Sequence, residues 1–162
     1  LVEAQSVGTC IGRVTGSGFG TGDAWDSEFW DDMGKNWMPS FDNLRLYLSD
    51  FPGQVATRME VSASHPVDGE TLWSALRERL GLGDEGTTVE LRGTTGTVEV
   101  LRDRLALLRL TAPVPGMLSV YVFAEGADQA IAGVRAYLFS ADAEDYVRRE
   151  ESAWQVWLQE LA

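Results

Sequence analysis

The feature that most constrains this chain is a series of short apolar segments, separated by turn sequences, that ends in one amphipathic helix. The segments lie at about 87–92, 96–103, 105–112, 117–125 and 130–140. The breaks between them are Gly93-Thr94-Thr95-Gly96, Pro113-Val114-Pro115-Gly116 and Glu125-Gly126-Ala127-Asp128. Breaks of this length join neighbouring strands in antiparallel order. The pattern therefore predicts an antiparallel meander of four or five strands.

The segment that follows Asp142 predicts a final helix with one apolar side. That side carries Tyr146, Val147, Trp154, Trp157, Leu158 and Leu161, and the other side is charged. A large aromatic side chain removes about 150–250 Å² from water, at about 25 cal/mol per Å², so two indoles contribute several kcal/mol to docking of the helix. We expect residues 141–161 to form a helix whose indole rings pack in the hollow of a curved sheet.

A further strand and helix precede the meander. Residues 55–64 alternate apolar and polar side chains, which predicts a strand. Asp68 is placed to cap the following helix, and Gly81 is placed to end it. The apolar side of this helix carries Leu72, Trp73, Leu76 and Leu80.

The first 53 residues predict a strand pair, 1–7 with 10–19, and then a long helix that Pro39 should kink or divide. The apolar face of that helix is predicted to carry Trp25, Phe29, Met33, Trp37, Phe41, Leu44 and Leu48. Residues 1–49 and 118–161 thus share a strand–strand–helix plan, which indicates an internal repeat unless any two such units look alike. Because the chain opens on Leu1 and is strand-like at once, we expect it to be a fragment of a longer protein.

Composition excludes several classes of function. The net charge of −12 argues against nucleic-acid binding and against electrostatic attachment to an anionic membrane. No apolar stretch approaches the roughly 18 residues of a membrane span. A single cysteine, Cys10, and a single histidine, His65, exclude a disulfide framework and a zinc or histidine metal cluster. The glycines at 16–22 do not match a dinucleotide-binding pattern. From the composition and the motifs together we expect no cofactor, no metal and a cytoplasmic location.

Residues 17–48 carry a resemblance to a known family. The sequence SGFGTG leads into FWDDMGKNWMPSFDNLRLYL, and this resembles the end of a START-related, or SRPBCC, helix-grip domain. Within that superfamily it is most similar to the branch named after the activator of the Hsp90 ATPase. The matching positions are Ser17, Gly18, Phe19, Trp37, Phe41, Asn43, Leu44 and Leu48.

The resemblance implies an α+β helix-grip fold, in which a curved antiparallel sheet wraps around a long C-terminal helix. It implies that residues 1–53 are the strand pair and C-terminal helix of an upstream unit, and that 54–162 are a diverged, nearly complete second unit. The second unit lacks the Asn-Leu signature of the branch and has Trp154, Trp157 and Leu158 instead.

The gap between sheet and helix is where such a fold would hold an apolar ligand. Residues that would line it are Trp154, Trp157, Tyr146, Tyr121, Tyr137, Arg109, Arg135 and His65. Two interpretations stay open, because the aromatic side chains either fill the interior or border a cavity. The arginines either face water or orient a ligand, and His65 is either a residue at a strand end or a general base.

The residues and the resemblance together favour a non-enzymatic protein that binds a hydrophobic small molecule or a protein partner. One alternative is an enzyme of the cyclase or aromatase type acting in the same cavity. Another is a purely structural domain that packs against the first unit. The strand edge and apolar stripe of the first 49 residues also predict docking on the second unit or a homodimer.

Overall fold

The computed structural model describes the backbone of residues 2–4, 10–12 and 24–161 and the side chains of residues 37–161. The chain divides into two compact units, Leu1–Met38 and Pro39–Ala162. In the first, β1 (Val2–Ala4) pairs with β2 (Cys10–Gly12) in antiparallel order. The rest of the predicted strands 1–7 and 10–19 lies outside the described residues, and the assignment of residues 1–53 to an upstream copy stays a prediction.

The second unit contains a six-stranded antiparallel sheet. Its order is β3-β8-β7-β6-β5-β4, so the predicted meander is confirmed and the first strand closes against the last. Two register shifts between β5 and β6 bend the sheet. The strands are β3 (Thr57–His65), β4 (Thr88–Leu91), β5 (Thr94–Arg102), β6 (Leu105–Ala112), β7 (Gly116–Ala124) and β8 (Ala130–Leu138).

The turn between β4 and β5 is tighter than predicted. Arg92 and Gly93 both have positive φ angles, 52° and 79°, as in the two-residue turns that match the twist of a hairpin. Thr94 therefore pairs with Leu91 in the ladder and does not belong to the turn. The predicted four-residue break at 93–96 is wrong because two residues complete the reversal.

Two helices cover one face of this sheet. In α2 (Gly69–Leu80), Oδ1 of Asp68 accepts hydrogen bonds from the amides of Glu70 and Thr71, each 2.9 Å long, and Gly81 ends the helix in the left-handed conformation, as predicted. In α3 (Ala143–Gln159), Trp154 and Leu158 are buried against the sheet. The predicted C-terminal helix on a curved sheet is therefore confirmed.

α3 also contacts the edge strand β3 of the sheet. Nε2 of Gln155 donates a 2.8 Å hydrogen bond to the backbone carbonyl of Ser62 in β3. Because β3 is an edge strand of this sheet, the contact holds α3 against that edge strand.

The last turns of α1 (Ala24–Asp50) cover the opposite face of the sheet. Leu46 and Phe51 form an apolar cluster with Val100, Leu107, Met117 and Phe139. The Phe51 and Phe139 rings stack with centroids 4.3 Å apart. We call this side the outer face, and the side under α2 and α3 the concave face.

Of the two effects predicted for Pro39, division of the helix is excluded, because α1 continues through Pro39 as one element. The predicted apolar face of α1 is wrong in part. Leu44 and Leu48, predicted on its buried face, are about half exposed, and Leu46 is buried instead. The reason is that the outer face holds this side of α1 by two contacts. Leu46 packs on the apolar surface of that face. Nη2 of Arg102 lies 2.7 Å from the carboxylate of Asp42, which is one helical turn before Leu46. The side chains of Trp25, Phe29 and Met33 lie outside the described residues.

Among the helices that the structure describes, none combines the length and hydropathy that a membrane crossing requires.

Candidate functional site

The eight side chains predicted to line a cavity do not form one site. Strand alternation and the two apolar clusters place them on opposite faces of the sheet. Tyr146, Trp154, Trp157 and His65 belong to the concave side, and Tyr121, Tyr137, Arg109 and Arg135 belong to the outer face. Any site built from these residues therefore uses one set or the other.

On the concave face, side chains occupy the space between the helices and the sheet. Trp154 is 1% exposed, and it belongs to one continuous cluster with residues of α2 and all six strands. The Tyr146 hydroxyl shares a 2.7 Å hydrogen bond with the hydroxyl of Thr94, so its polar end is satisfied inside the cluster. This buried cluster is what the filled interpretation expects, and the choice between the two interpretations stays a prediction.

Two arginines border the indoles at the end of α3. The Arg92 guanidinium lies 5.5 Å from the ring centroid of Trp154, and that of Arg79 lies 5.3 Å from the ring of Trp157. The two indoles meet edge to face at 5.5 Å. These contacts fix the indoles in place, which is a packing role.

His65 lies at the end of β3 and is buried. Its Nε2 atom has no hydrogen-bond partner among the residues that the structure describes. A general base needs an acid or nucleophile within hydrogen-bond reach. No side chain within residues 37–161 hydrogen-bonds to this nitrogen, so the strand-end interpretation fits the described geometry better.

The outer face holds a polar cluster around Glu60, which sequence reasoning did not single out. Oε1 of Glu60 accepts hydrogen bonds from Arg135, at 2.6 Å from Nη2 and 3.0 Å from Nε, and from the Tyr121 hydroxyl at 3.3 Å. Arg58 forms an ion pair with the other carboxylate oxygen. The Arg135 guanidinium also lies over the Tyr121 ring, 5.7 Å from its centroid.

The cluster shifts the ionisation of its members. The hydrogen bond from Arg135 is the largest cause of a lowered pKa at Glu60; the charges of Arg135 and Arg58 act in the same direction, and burial opposes them. Burial, with the Glu60 charge beside it, raises the pKa of the Tyr121 phenol. At neutral pH the carboxylate is therefore charged and the phenol is neutral.

A groove lies beside this cluster, between the last turns of α1 and the outer face. Its volume is about 330 Å³. Its lining residues are Ser40, Asn43, Leu44, Tyr47, Gln54, Ala56, Met117, Arg135, Tyr137 and Phe139. We call it the outer groove. It contains two of the eight predicted residues, Tyr137 and Arg135.

Arg109 lies on the outer face but outside this groove. It pairs with Glu99 at 2.7 Å, and the hydrogen bond to that carboxylate raises its pKa. Within the described part of the chain, no three His, Cys, Asp or Glu side chains lie close enough together to hold a metal ion.

A second groove, of about 410 Å³, runs along α3. Its lining residues are Arg92, Ser152, Ala153, Val156, Trp157 and Glu160. The two charged residues in its wall have opposite signs, and Val156 is largely exposed.

The lowered pKa of Glu60 predicts an acid-sensitive contribution to stability. A carboxylate with a depressed folded pKa stabilises the fold above its unfolded pKa and loses that effect as pH falls through the folded pKa. We expect Glu60→Gln to lose stability at neutral pH and to show a flatter decline as pH falls from about 5 towards 3, measured by urea denaturation. Glu90→Gln is the control, because Glu90 is exposed and forms no ion pair with described residues. Parallel pH profiles for wild type and Glu60→Gln would contradict the assignment.

Comparison with solved structures identifies the fold. CalU16 from Micromonospora echinospora has a TM-score of 0.54 and 16% identity, and the match covers 65% of this chain and 72% of that chain. DynU16, from the dynemicin biosynthetic locus, has a TM-score of 0.53 and 15% identity, covering 65% of this chain and 45% of that chain. An HSP90 activator from Plasmodium falciparum has a TM-score of 0.50 and 11% identity, covering 61% and 88%.

No family profile matches the sequence, and no curated protein is similar to it. At such identities the structural likeness establishes the fold alone. That fold is the helix-grip fold, so the architecture that the resemblance implies is confirmed, and the branch stays a prediction.

Proposed function

We propose that this chain is a non-enzymatic binding protein for an apolar small molecule and that the ligand occupies the outer groove. One observation carries the proposal: Trp154 and its neighbours form a continuous buried cluster on the concave face, whereas the outer face has a groove of about 330 Å³. Small-molecule sites have volumes of about 300–1,000 Å³. The ligand site of this chain would then lie on the opposite side of the sheet from the one predicted.

The walls of the groove have the composition of a ligand site. Leu44, Met117, Tyr137 and Phe139 supply apolar and aromatic surface. Arg135 is one of a few polar groups placed among them. Such sites are mostly apolar, with a small number of polar groups that fix orientation.

The state of the polar groups favours binding over catalysis. The Glu60 carboxylate is engaged by Arg58, Arg135 and Tyr121. The raised pKa keeps the Tyr121 phenol protonated at neutral pH, so it does not supply a general base there. A cyclase or aromatase would need a polar constellation that is available to its substrate.

The packing-domain alternative rests on the filled concave face, and it predicts that the outer groove stays empty. A chaperone-cofactor role rests on the fold of the HSP90 activator alone. Ligand binding in the outer groove distinguishes these functions, because it is expected under our proposal and not under a packing role.

A pair of neighbouring substitutions tests the proposal. Ala56 lines the groove, whereas Val55 beside it is 93% exposed and does not line it. We expect naphthalene compounds and octyl to dodecyl compounds, each as alcohol and as carboxylate, to raise the melting temperature of the wild type. Ala56→Trp should weaken the best of them by at least about tenfold in calorimetry, and Val55→Trp should bind as the wild type does.

Two results would overturn the proposal. One is that no compound stabilises the wild type. The other is that Ala56→Trp, folded by circular dichroism, binds the best compound as tightly as Val55→Trp does, because the ligand site would then lie elsewhere.

A further inference from the structure

We infer that the outer groove selects apolar ligands that carry a carboxylate, and that the Arg58–Glu60–Arg135 cluster sets this preference. The inference rests on the proposed function, and it adds the chemical class of the ligand and the residues that recognise it.

The first argument is the charge of the groove wall. Among the residues that line the groove, Arg135 is the one with a charge, and the other polar members, Ser40, Asn43 and Gln54, are neutral. A carboxylate ligand would therefore meet a cation and no acid in the wall. The positive charge of the groove wall is opposite to the net charge of −12 of the whole chain. The cation in the wall is therefore specific to this site and does not reflect the average charge of the surface.

The second argument is the charge of the cluster behind the wall. Glu60 forms ion pairs with both Arg58 and Arg135. Two guanidinium groups that share one carboxylate leave one positive charge in excess. That excess charge is available to a second carboxylate, which a ligand would supply.

The third argument is the hydrogen bonding of Arg135. Its Nε and Nη2 atoms both donate to the same oxygen of Glu60. Its Nη1 atom makes none of the hydrogen bonds found within residues 37–161. Because the planar guanidinium presents several donors in a fixed fork, it can hold Glu60 with one side and a ligand carboxylate with the other.

The fourth argument concerns strength. Arg135 is partly buried beside the aromatic side chains of Tyr121 and Tyr137, and a charge pair at such a site is less screened than one in open water. Glu60 opposes the incoming carboxylate. The cluster therefore predicts opposite effects for two of its members: loss of Arg135 weakens carboxylate binding, and neutralisation of Glu60 strengthens it.

The test compares 2-naphthoate with 2-naphthamide, which have the same ring and nearly the same shape and differ in charge. By calorimetry at neutral pH, we expect the wild type to bind the carboxylate about tenfold more tightly than the amide. Arg135→Met should bring this ratio close to unity, and Glu60→Gln should raise it severalfold. Arg109→Met is the matched control, since Arg109 pairs with Glu99 on the same face outside the groove, and its ratio should equal that of the wild type.

The outcomes separate the two proposals. If the wild type binds both compounds equally, the carboxylate preference is wrong and the binding function stands. If it binds neither compound nor any member of the panel above, both are wrong. If Arg135→Met does not fold, Glu60→Gln decides alone. A carboxylate-to-amide affinity ratio that falls in Glu60→Gln would mean that the cluster acts only by supporting the structure. That result would overturn the inference.

Discussion

Trp154→Ala is expected to lower the free energy of unfolding by about 3–5 kcal/mol, the cost of removing a large aromatic side chain from a core. Trp154 is 1% exposed and contacts both Trp157 and Arg92, so its removal leaves a cavity and also deletes two ring contacts. Urea denaturation monitored by circular dichroism measures the change.

Val156→Ala is the control on the same helix. Val156 is 53% exposed, and its truncation should change the free energy of unfolding by no more than about 0.5 kcal/mol. Equal, small effects for the two variants would mean that α3 is not docked through its indoles, and the filled concave face would then be wrong.

Leu46→Ala is expected to cost about 2–5 kcal/mol, the range for truncation of a buried leucine. Leu46 is 2% exposed and belongs to the cluster that joins the end of α1 to the outer face. Thermal and urea denaturation measure the loss. Because α1 forms one wall of the outer groove, the variant should also bind groove ligands more weakly.

Leu48→Ala is the matched comparison, two residues further along α1 and 52% exposed. Its free energy of unfolding should stay within about 0.5 kcal/mol of the wild type. A larger loss in the free energy of unfolding for Leu48→Ala than for Leu46→Ala would support the apolar face that the sequence predicts. It would contradict the packing described for α1.

Much of the fold was predictable because local signals agreed with one another. The Asp68 cap, the Gly81 terminator and most turn residues between strands each act within a few positions, and the structure has them where the sequence indicates. The turn at Arg92-Gly93 was misplaced because an arginine at positive φ has no sequence signal, whereas the following threonines look like turn residues.

The face of each strand was harder to predict. In β7 every residue from Gly116 to Val122 is buried, because helices cover both sides of the sheet there. Alternation then disappears, and no pattern tells which of two interleaved sets faces α3. Tyr121 and Arg135 were placed with Trp154 for this reason, although they face the other way.

The outer groove could not be predicted from periodicity at all. It depends on which side of α1 meets the sheet, and the most regular apolar stripe, which includes Leu44 and Leu48, is not that side. The choice is made by long-range partners, the outer-face cluster for Leu46 and Arg102 for Asp42. Asn43 and Leu44 were noticed as part of a family motif, yet that motif did not identify them as lining residues.

The hydrogen bond from Gln155 to Ser62 has a consequence for self-association. An open strand edge offers unpaired backbone groups to the same strand of another molecule, and this is a common route to insoluble fibres and amorphous aggregates. Here α3 is hydrogen-bonded to the backbone of the edge strand β3. A substitution that weakens the docking of α3 would therefore expose the edge of β3 together with the apolar interior. We expect variants of this protein that lose stability in this way also to precipitate.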